Sequence, residues 1–320
     1  MSHRPLSLFG LHGSHEFAEQ VARRLEVPLA LHEERNYEDG EHKTRPVQEV
    51  RGHDAFVLHA LYGGESESGN DKLCRLLFFC GALKDAGADR VTAVTPYLCY
   101  GRKDRRTKSN DPVITRYLAT MFEAVGIDRV IAMEVHNAAA VENAFRCPTI
   151  LVETAPLLAK HFAPLLRGQP ITVVSPDAGG VKRAEQFRQA LERLTDQPAG
   201  SAYMEKFRSS GMVRGSLLAG DVRDRAVVII DDLISTGGTL VRAADACCTA
   251  GARSIFVAAT HGLFIDGAQE LFASPAISGV LVTNTVPPFR VRPDVLVQRL
   301  TMLDVSEAFA RAIAACHQAG

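Results

Sequence analysis

Short runs of apolar and β-branched residues alternate along this chain with longer segments of helical, amphipathic pattern. The clearest run covers residues 226–230 and is almost continuously apolar, as in strands that are covered on both faces. Similar runs lie at 91–95, 129–133, 171–174, 254–260 and 279–283, with helical segments at 71–86, 114–125 and 239–250 between them. Strands that alternate with helices form βαβ units, so the sequence predicts an α/β fold with parallel sheets.

The length of 320 residues is about twice that of a typical domain. The alternation pauses at Pro148, and a helical pattern resumes at 154–162. We therefore expect an N-terminal domain over residues 1–149 and a second domain over 150–300. The remaining segment, 301–320, is expected to be a helix that packs back on the N-terminal domain.

Composition excludes several classes of protein. With 36 basic and 37 acidic residues the net charge is −1, whereas a general nucleic-acid binder usually carries a basic excess. No apolar stretch approaches the roughly 18 residues of a membrane span, and the N-terminal apolar run is too short for a signal peptide. The seven cysteines are odd in number and form no CxxC motif, which favours reduced thiols. We expect a cytoplasmic protein with no nucleic-acid or membrane partner.

The strongest motif follows the apolar run at 226–230. Two carboxylates, Asp231 and Asp232, come first, and Leu-Ile follows them. A polar turn then leads into a predicted helix, and its residues are Ser235, Thr236, Gly237, Gly238 and Thr239. Backbone N–H groups at a helix N-terminus bind anions, whereas neighbouring carboxylates accept hydrogen bonds from sugar hydroxyls. This combination fits a ribose 5-phosphate. The structural alternative is a plain strand–turn–helix connection that a Ser or Thr side chain caps.

This segment resembles the phosphoribosyl-binding motif of type I phosphoribosyltransferases and of ribose-phosphate diphosphokinases (PRPP synthetases). The motif alone does not distinguish them, but a whole additional domain precedes it here, which favours the diphosphokinases. That resemblance implies two phosphoribosyltransferase-like domains, each a mostly parallel sheet flanked by helices. It further implies that ATP and ribose 5-phosphate are the substrates, with Mg²⁺ as cofactor, in a dimer-based homo-oligomer whose hexameric form is a family expectation.

A basic segment at 96–109 contains five cations and one acid and follows a predicted strand. Guanidinium groups pair well with phosphate oxygens, although a solvated basic loop is the simpler interpretation. The segment resembles the part of PRPP synthetases that contacts the ATP triphosphate. The resemblance assigns ATP binding to Arg102, Lys103 and Asp104, with Lys103 standing where the family usually has Gln.

The segment 36–41 resembles the family's turn that reaches the adenine of ATP from a neighbouring subunit. By this resemblance Tyr37, Asp39 and Glu41 bind ATP, and the Tyr37 ring replaces the common Phe for stacking on a base. On its own the segment would be interpreted as a polar turn.

Two residues are assigned to the metal by resemblance. His136 follows a predicted strand in Glu134-Val-His, where the family has Asp-Leu-His, and Asp177 belongs to Ser-Pro-Asp-Ala-Gly-Gly at 175–180. Mg²⁺ prefers oxygen ligands, so a structural histidine is the alternative for His136. For Asp177 the alternative is a capping turn.

The segment 202–208 matches a flexible loop that carries a Lys-x-Arg pair in PRPP synthetases. Lys206 and Arg208 occupy those positions, and alternate residues of an extended stretch point to the same side. The resemblance makes them the catalytic cations that stabilise the transferring group. Two functional alternatives remain open: a phosphoribosyltransferase that consumes PRPP, and a catalytically silent PRPP synthetase-associated regulator.

Overall fold

The computed structural model describes residues 4–209 and 212–319, and it describes side chains over 4–205 and 217–319. The chain forms two compact units. Unit 1 extends to Val152 and also includes the segment from Val305 onward, whereas unit 2 is Glu153–Asp304.

Unit 1 is built on a five-stranded parallel sheet in the order β1-β4-β5-β6-β7. Its strands are β1 (Leu6–Gly10), β4 (Asp54–Leu58), β5 (Arg90–Thr95), β6 (Arg129–Met133) and β7 (Thr149–Val152). A separate antiparallel hairpin consists of β2 (His32–Asn36) and β3 (His42–Pro46). The helices are α1 (His15–Leu25), α2 (Gly69–Asp85), α3 (Ile114–Ala124), α4 (Ala138–Ala144) and α10 (Ser306–Gln318).

The strands of the unit 1 sheet are largely apolar and mostly buried, as in sheets that helices cover. All five residues of β4 are buried. Helix α2 starts at a capping box in which Ser68 and Asp71 exchange hydrogen bonds, which satisfies N–H groups of the first turn. Helix α10 packs on α1 through an edge-to-face contact of Phe17 and Phe309.

Unit 2 contains a seven-stranded sheet in the order β10-β9-β8-β11-β12-β13-β14. The strands are β8 (Ile171–Ser175), β9 (Ala199–Ser209), β10 (Met212–Ala219), β11 (Ala226–Ile234), β12 (Ser254–Gly262), β13 (Gly279–Thr283) and β14 (Leu300–Leu303). Only the pair β9–β10 is antiparallel. The helices are α5 (Ala155–Leu166), α6 (Val181–Thr195), α7 (Gly238–Thr249), α8 (Gln269–Ala273) and α9 (Pro293–Arg299).

The predicted fold class is confirmed: both units are α/β, with mostly parallel sheets flanked by helices. The unit boundaries differ from the expected ones by a few residues, for a simple reason. Strand β7 pairs with β6, which keeps residues up to Val152 in unit 1. Strand β14 pairs with β13, which keeps residues up to Asp304 in unit 2. Over the described residues, no helix has the length and apolar character that a membrane span requires.

Candidate functional site

The phosphate loop of unit 2 follows a strand that is longer than the sequence pattern indicates. Strand β11 continues to Ile234, because Leu233 and Ile234 still pair with His261 and Gly262 of β12. Asp231 and Asp232 are therefore strand residues. The turn itself comprises Ser235, Thr236 and Gly237, and helix α7 starts with Gly238 and Thr239.

Gly237 determines the shape of this turn. Its φ of 83° lies in the left-handed region, and a Cβ at this position would lie 2.8 Å from the Cβ of Leu271. As the N-cap of α7 it carries no side chain, and no side chain of the described residues caps this helix. The capping alternative is therefore wrong for α7. The N–H groups of its first turn are left to bind an anion.

The turn is tied to the segment that follows β12. Leu263 donates its backbone N–H to the carbonyl of Ile234 at 2.9 Å, and Ile265 donates to the carbonyl of Ser235 at 3.0 Å. On the helix side, Arg242 donates to the hydroxyl of Thr239 at 3.2 Å. These contacts hold the turn in place from both ends, so it is preorganised for a ligand.

The two carboxylates ahead of the turn face a single guanidinium group. Nη1 of Arg183, in the first turn of α6, lies 3.7 Å from Oδ1 of Asp231 and 3.7 Å from Oδ1 of Asp232. Burial raises the pKa of Asp231 to about 8, and the adjacent Asp232 adds to this shift, whereas Arg183 opposes it. Ionisation of the pair is therefore disfavoured, because two buried carboxylates lie side by side and share one partly compensating cation.

Asp177 acts as a cap in the turn that follows β8. Its Oδ1 accepts the backbone N–H of Gly179 at 2.9 Å and that of Gly180 at 3.1 Å. The Ser175 hydroxyl donates to the carbonyl of Asp177 at 2.6 Å. Asp177 therefore caps this turn, as the alternative interpretation of the segment predicted. This capping does not conflict with metal binding, because a carboxylate has two oxygens.

In unit 1, the basic segment forms the loop between β5 and α3. Arg102 and Lys103 are exposed, and Asp104 is half-buried. The carboxylate of Asp104 accepts a hydrogen bond from the side chain of Asn137 at 2.7 Å. Asn137 directly follows His136, so this bond brings two of the predicted motifs together.

His136 is exposed between β6 and α4. The next residue, Asn137, caps α4 by accepting the backbone N–H of Ala140 at 3.2 Å. Before them, Glu134 has a φ of 35°, a conformation that non-glycine residues adopt rarely and that often marks functional turns.

Magnesium chemistry fits the donors that are present. Among the side chains that the structure describes, no group of three or more His, Cys, Asp or Glu residues forms a metal cage. Mg²⁺ usually binds one or two protein carboxylates and completes its shell with water and substrate phosphates. The carboxylate of Asp177 is the kind of oxygen donor that such a metal uses, so the donor set does not conflict with a Mg²⁺ ion.

Three predicted ATP contacts lie at the tip of the β2–β3 hairpin. Tyr37, Asp39 and Glu41 are all exposed there. The tip is closed by a bond of 2.8 Å from the N–H of Tyr37 to the carbonyl of Glu41, and Asp39 accepts the N–H of Glu41 at 3.1 Å. The guanidinium of Arg35 lies 5.0 Å from the Tyr37 ring centroid. The tip therefore exposes one ring and two carboxylates.

Lys206 and Arg208 lie on strand β9, where the family resemblance implied a loop. In the antiparallel pair with β10, Lys206 is opposite Ser216 and Arg208 is opposite Val213. Their side chains lie outside the described part of the chain. Two residues apart on a strand, the two positions share one face of the sheet.

Two site residues were not predicted from the sequence. Arg183 lies at the end of the Ser-Pro-Asp segment, but only the packing of α6 beside β11 brings it to the acid pair. Asn137 follows His136, and its position before a helix could have indicated a cap. Its second contact, with Asp104, spans 33 residues and has no local signal.

The fold is that of an α/β protein with two phosphoribosyltransferase-like units. Unit 2 carries the candidate phosphate loop, residues 235–239. Residues 6–126 match the model of the N-terminal domain of ribose phosphate pyrophosphokinase, and residues 214–320 match the phosphoribosyl synthetase-associated domain. These two matches together cover more than half of the chain.

Similar proteins of known name extend over nearly the whole length. Ribose-phosphate pyrophosphokinase 1 of Streptococcus agalactiae serotype III (strain NEM316) is 32% identical, covering 99% of this chain and 96% of that protein. Ribose-phosphate pyrophosphokinase of Clostridium tetani (strain Massachusetts / E88) is also 32% identical, covering 97% of this chain and 93% of that protein. The crystal structure of phosphoribosylpyrophosphate synthetase from Mycobacterium smegmatis has a TM-score of 0.87 and 31% identity, covering 99% of this chain and 100% of that chain. The chain belongs to the ribose-phosphate pyrophosphokinase (PRPP synthetase) family.

Proposed function

We propose that this protein is a ribose-phosphate diphosphokinase. It transfers the β,γ-diphosphoryl group of ATP to the C1 hydroxyl of ribose 5-phosphate, and the products are PRPP and AMP. The observation that carries this proposal is the uncapped N-terminus of α7 directly behind the Asp231–Asp232 pair, in a chain similar to PRPP synthetases over its full length.

Unit 2 holds the sugar. The 5-phosphate binds to the backbone N–H groups and hydroxyls of Ser235, Thr236, Gly237, Gly238 and Thr239. An anion is favoured there because the positive end of the helix dipole adds to the N–H donors. Asp231 and Asp232 bind the diol, because carboxylate oxygens accept hydrogen bonds from sugar hydroxyls.

Unit 1 holds ATP. Arg102 and Lys103 are exposed cations that pair with the polyphosphate, and Asp104 is held in place by Asn137. Tyr37, Asp39 and Glu41 belong to the hairpin tip and bind the adenine of ATP on a neighbouring subunit. This arrangement requires a homo-oligomer, for which we propose a dimer-based assembly.

In the reaction, the C1 oxygen forms a bond to the β-phosphorus, and the bond from that phosphorus to the α,β-bridging oxygen breaks. The bridging oxygen leaves with AMP. Lys206 and Arg208 stabilise negative charge on the transferring group and on the leaving AMP. By the family resemblance, Asp177 in unit 2 and His136 in unit 1 are the candidate metal ligands, and a bound Mg²⁺ would supply neutralisation of phosphate charge. Positioning and charge neutralisation then supply most of the rate enhancement.

We place the protein in the cytoplasm, which is supported by seven cysteines that are all free thiols. The proposed activity is tested by incubating the purified full-length protein with ribose 5-phosphate, ATP and Mg²⁺. PRPP and AMP are expected in equal amounts. No AMP in this incubation, together with consumption of PRPP when PRPP is supplied in a second incubation, would indicate a phosphoribosyltransferase. No turnover, together with capture of an active synthetase as partner, would indicate a silent regulator.

A further inference from the structure

The β2–β3 hairpin stands apart from the main sheet of unit 1. Over the described residues its two strands pair with each other and with no strand of the five-stranded sheet. A two-stranded hairpin on its own is only marginally stable in water. Side chains that connect it to neighbouring elements must therefore fix the direction in which its tip points.

One buried guanidinium connects the hairpin to α2. Arg75 of α2, whose side chain is only 4% exposed, donates from Nη1 to Oε2 of Glu34 at 3.1 Å. Its Nη2 donates to Oδ1 of Asn36 at 2.7 Å and to Oε1 of Glu67 at 2.8 Å. Glu34 and Asn36 are two residues apart on β2, so one side chain binds two positions on the same face of the strand.

The other oxygen of Glu34 ties the same strand to the loop after β1. It accepts the backbone N–H of His12 at 2.7 Å and Nε2 of His32 at 2.9 Å. Burial opposes ionisation of Glu34, but these hydrogen bonds and the charge of Arg75 hold its pKa below its usual value. A buried, ionised carboxylate with this many donors tolerates little displacement, because each lost bond leaves a desolvated group without a partner.

Asn36 is the member of this network that lies nearest to the tip. It is the last residue of β2, it is opposite His42 of β3, and it directly precedes Tyr37. The hydrogen bond from Arg75 to Asn36 therefore holds the hairpin one residue before the exposed ring. Beyond it, Tyr37, Asp39 and Glu41 are exposed.

We infer that Arg75 and Asn36 are positioning residues for the nucleotide. Through the Arg75–Asn36 hydrogen bond they fix the direction of the hairpin, so that its tip meets the adenine of ATP on a neighbouring subunit. This inference rests on the proposed function of the tip. It adds that affinity for ATP depends on an ionic network around the buried Arg75, which lies outside the proposed ATP contacts of the tip.

Asn36→Ala is the sharper test, because Arg75→Met would remove the only guanidinium partner described for Glu34 and Glu67 and could endanger folding. The variant removes one acceptor and keeps both ion pairs of Arg75. Asn36 is itself exposed and its bond to Arg75 is only partly buried, so the KM for ATP is expected to rise about 3- to 10-fold. The kcat and the KM for ribose 5-phosphate should stay within about twofold.

Glu33→Ala is the matched control on the same strand. It removes the exposed pair in which Arg45 contacts Glu33 at 2.6 Å, on the opposite face of β2. This variant is expected to leave all three kinetic constants unchanged, since exposed ion pairs contribute little. An equal rise in the KM for ATP in both variants would overturn the inference.

A double-mutant cycle separates positioning from general damage. If Asn36 acts through the tip, Asn36→Ala should raise the KM for ATP by a smaller factor in a Tyr37→Ala background than in the wild type, because one of the three tip contacts is already gone. Additive effects, or an unchanged KM for ATP in Asn36→Ala, would overturn the inference. A Tyr37→Ala variant with normal KM would instead refute the ATP role of the tip and the inference with it, while PRPP synthesis persists.

A readout independent of activity is amide hydrogen exchange over residues 36–42. The N–H of Tyr37 is bonded to Glu41 in the closed tip, so its exchange reports the order of the hairpin. Exchange should be about 10-fold faster in Asn36→Ala and unchanged in Glu33→Ala, even in a protein that makes no PRPP. Equal exchange in wild type and Asn36→Ala would contradict the role of the Arg75–Asn36 bond.

Discussion

Asn137 donates a side-chain hydrogen bond of 2.7 Å to Asp104 and thereby joins the loop after β5 to the loop after β6. Asn137→Asp keeps the capping oxygen for α4 but replaces the donor with a carboxylate that repels Asp104. We expect the KM for ATP to rise roughly 3- to 10-fold with the KM for ribose 5-phosphate unchanged. Steady-state kinetics with each substrate varied in turn measures both constants.

Asn143→Asp in the same helix is the control for this prediction. It introduces the same charge at an exposed residue whose amide donates to the carbonyl of Ala139 at 2.7 Å. A similar rise in the KM for ATP in both variants would show that net charge, and not the Asp104 contact, is responsible.

The acid pair predicts a pH dependence of stability. The pKa of Asp231 is raised from 3.8 to about 8, so between these pH values the folded state binds more protons than the unfolded state. The free energy of unfolding therefore falls as pH rises across this window. Asp231→Asn should flatten this slope and stabilise the protein at about pH 8 by about 1 kcal/mol. Urea denaturation at about pH 5 and about pH 8 measures the difference. An unaltered slope, or an equal change in the exposed Asp245→Asn of α7, would refute the assignment.

Gly237 should be irreplaceable in the phosphate turn. Gly237→Ala strains a backbone with a φ of 83° and places a Cβ 2.8 Å from that of Leu271. The KM for ribose 5-phosphate is expected to rise at least about 10-fold, because displaced N–H donors no longer meet the phosphate. The control is Gly168→Ala, at a φ of 79° with no atom within 4 Å of the new Cβ. It carries the same backbone strain without the clash, and its kinetics should match those of the wild type.

Lys206 is proposed to act on the transferring group. Lys206→Ala should lower kcat by at least about 100-fold with little change in ribose 5-phosphate affinity, as for the loss of a charge-stabilising donor. Asp232→Asn should instead raise the KM for ribose 5-phosphate. A near-wild-type kcat for Lys206→Ala would remove this residue from the mechanism.

The parts of the fold that the sequence predicted well are those with strong local patterns. Strand β6 was predicted at 129–133 and observed as Arg129–Met133, because its apolar run stops abruptly at Glu134. Strand β11 runs four residues beyond its apolar core, since pairing with β12 overrides the polarity of Asp231 and Asp232. The strand β2, His-Glu-Glu-Arg-Asn, has no apolar alternation, and a buried ionic network holds it in place.

In the candidate site, too, features set by local sequence were predictable and features set by tertiary packing were not. Residues of the phosphate turn could be predicted because a strand, a turn and a helix follow one another directly in the chain. The contact of Arg183 with the acid pair could not be predicted from the sequence, since it depends on how α6 packs beside β11. The Arg75–Asn36 bond joins residues 39 apart and depends on how the hairpin packs on α2.

The central claim is that the C1 hydroxyl of ribose 5-phosphate attacks the β-phosphorus of ATP. The most direct measurement uses ATP labelled at the β-phosphorus, with purified protein, ribose 5-phosphate and Mg²⁺, followed by separation of the products. All transferred label should appear in PRPP, and AMP should be unlabelled and equal in amount to PRPP. Label released as free phosphate or retained in ADP, with no labelled PRPP, would contradict the account.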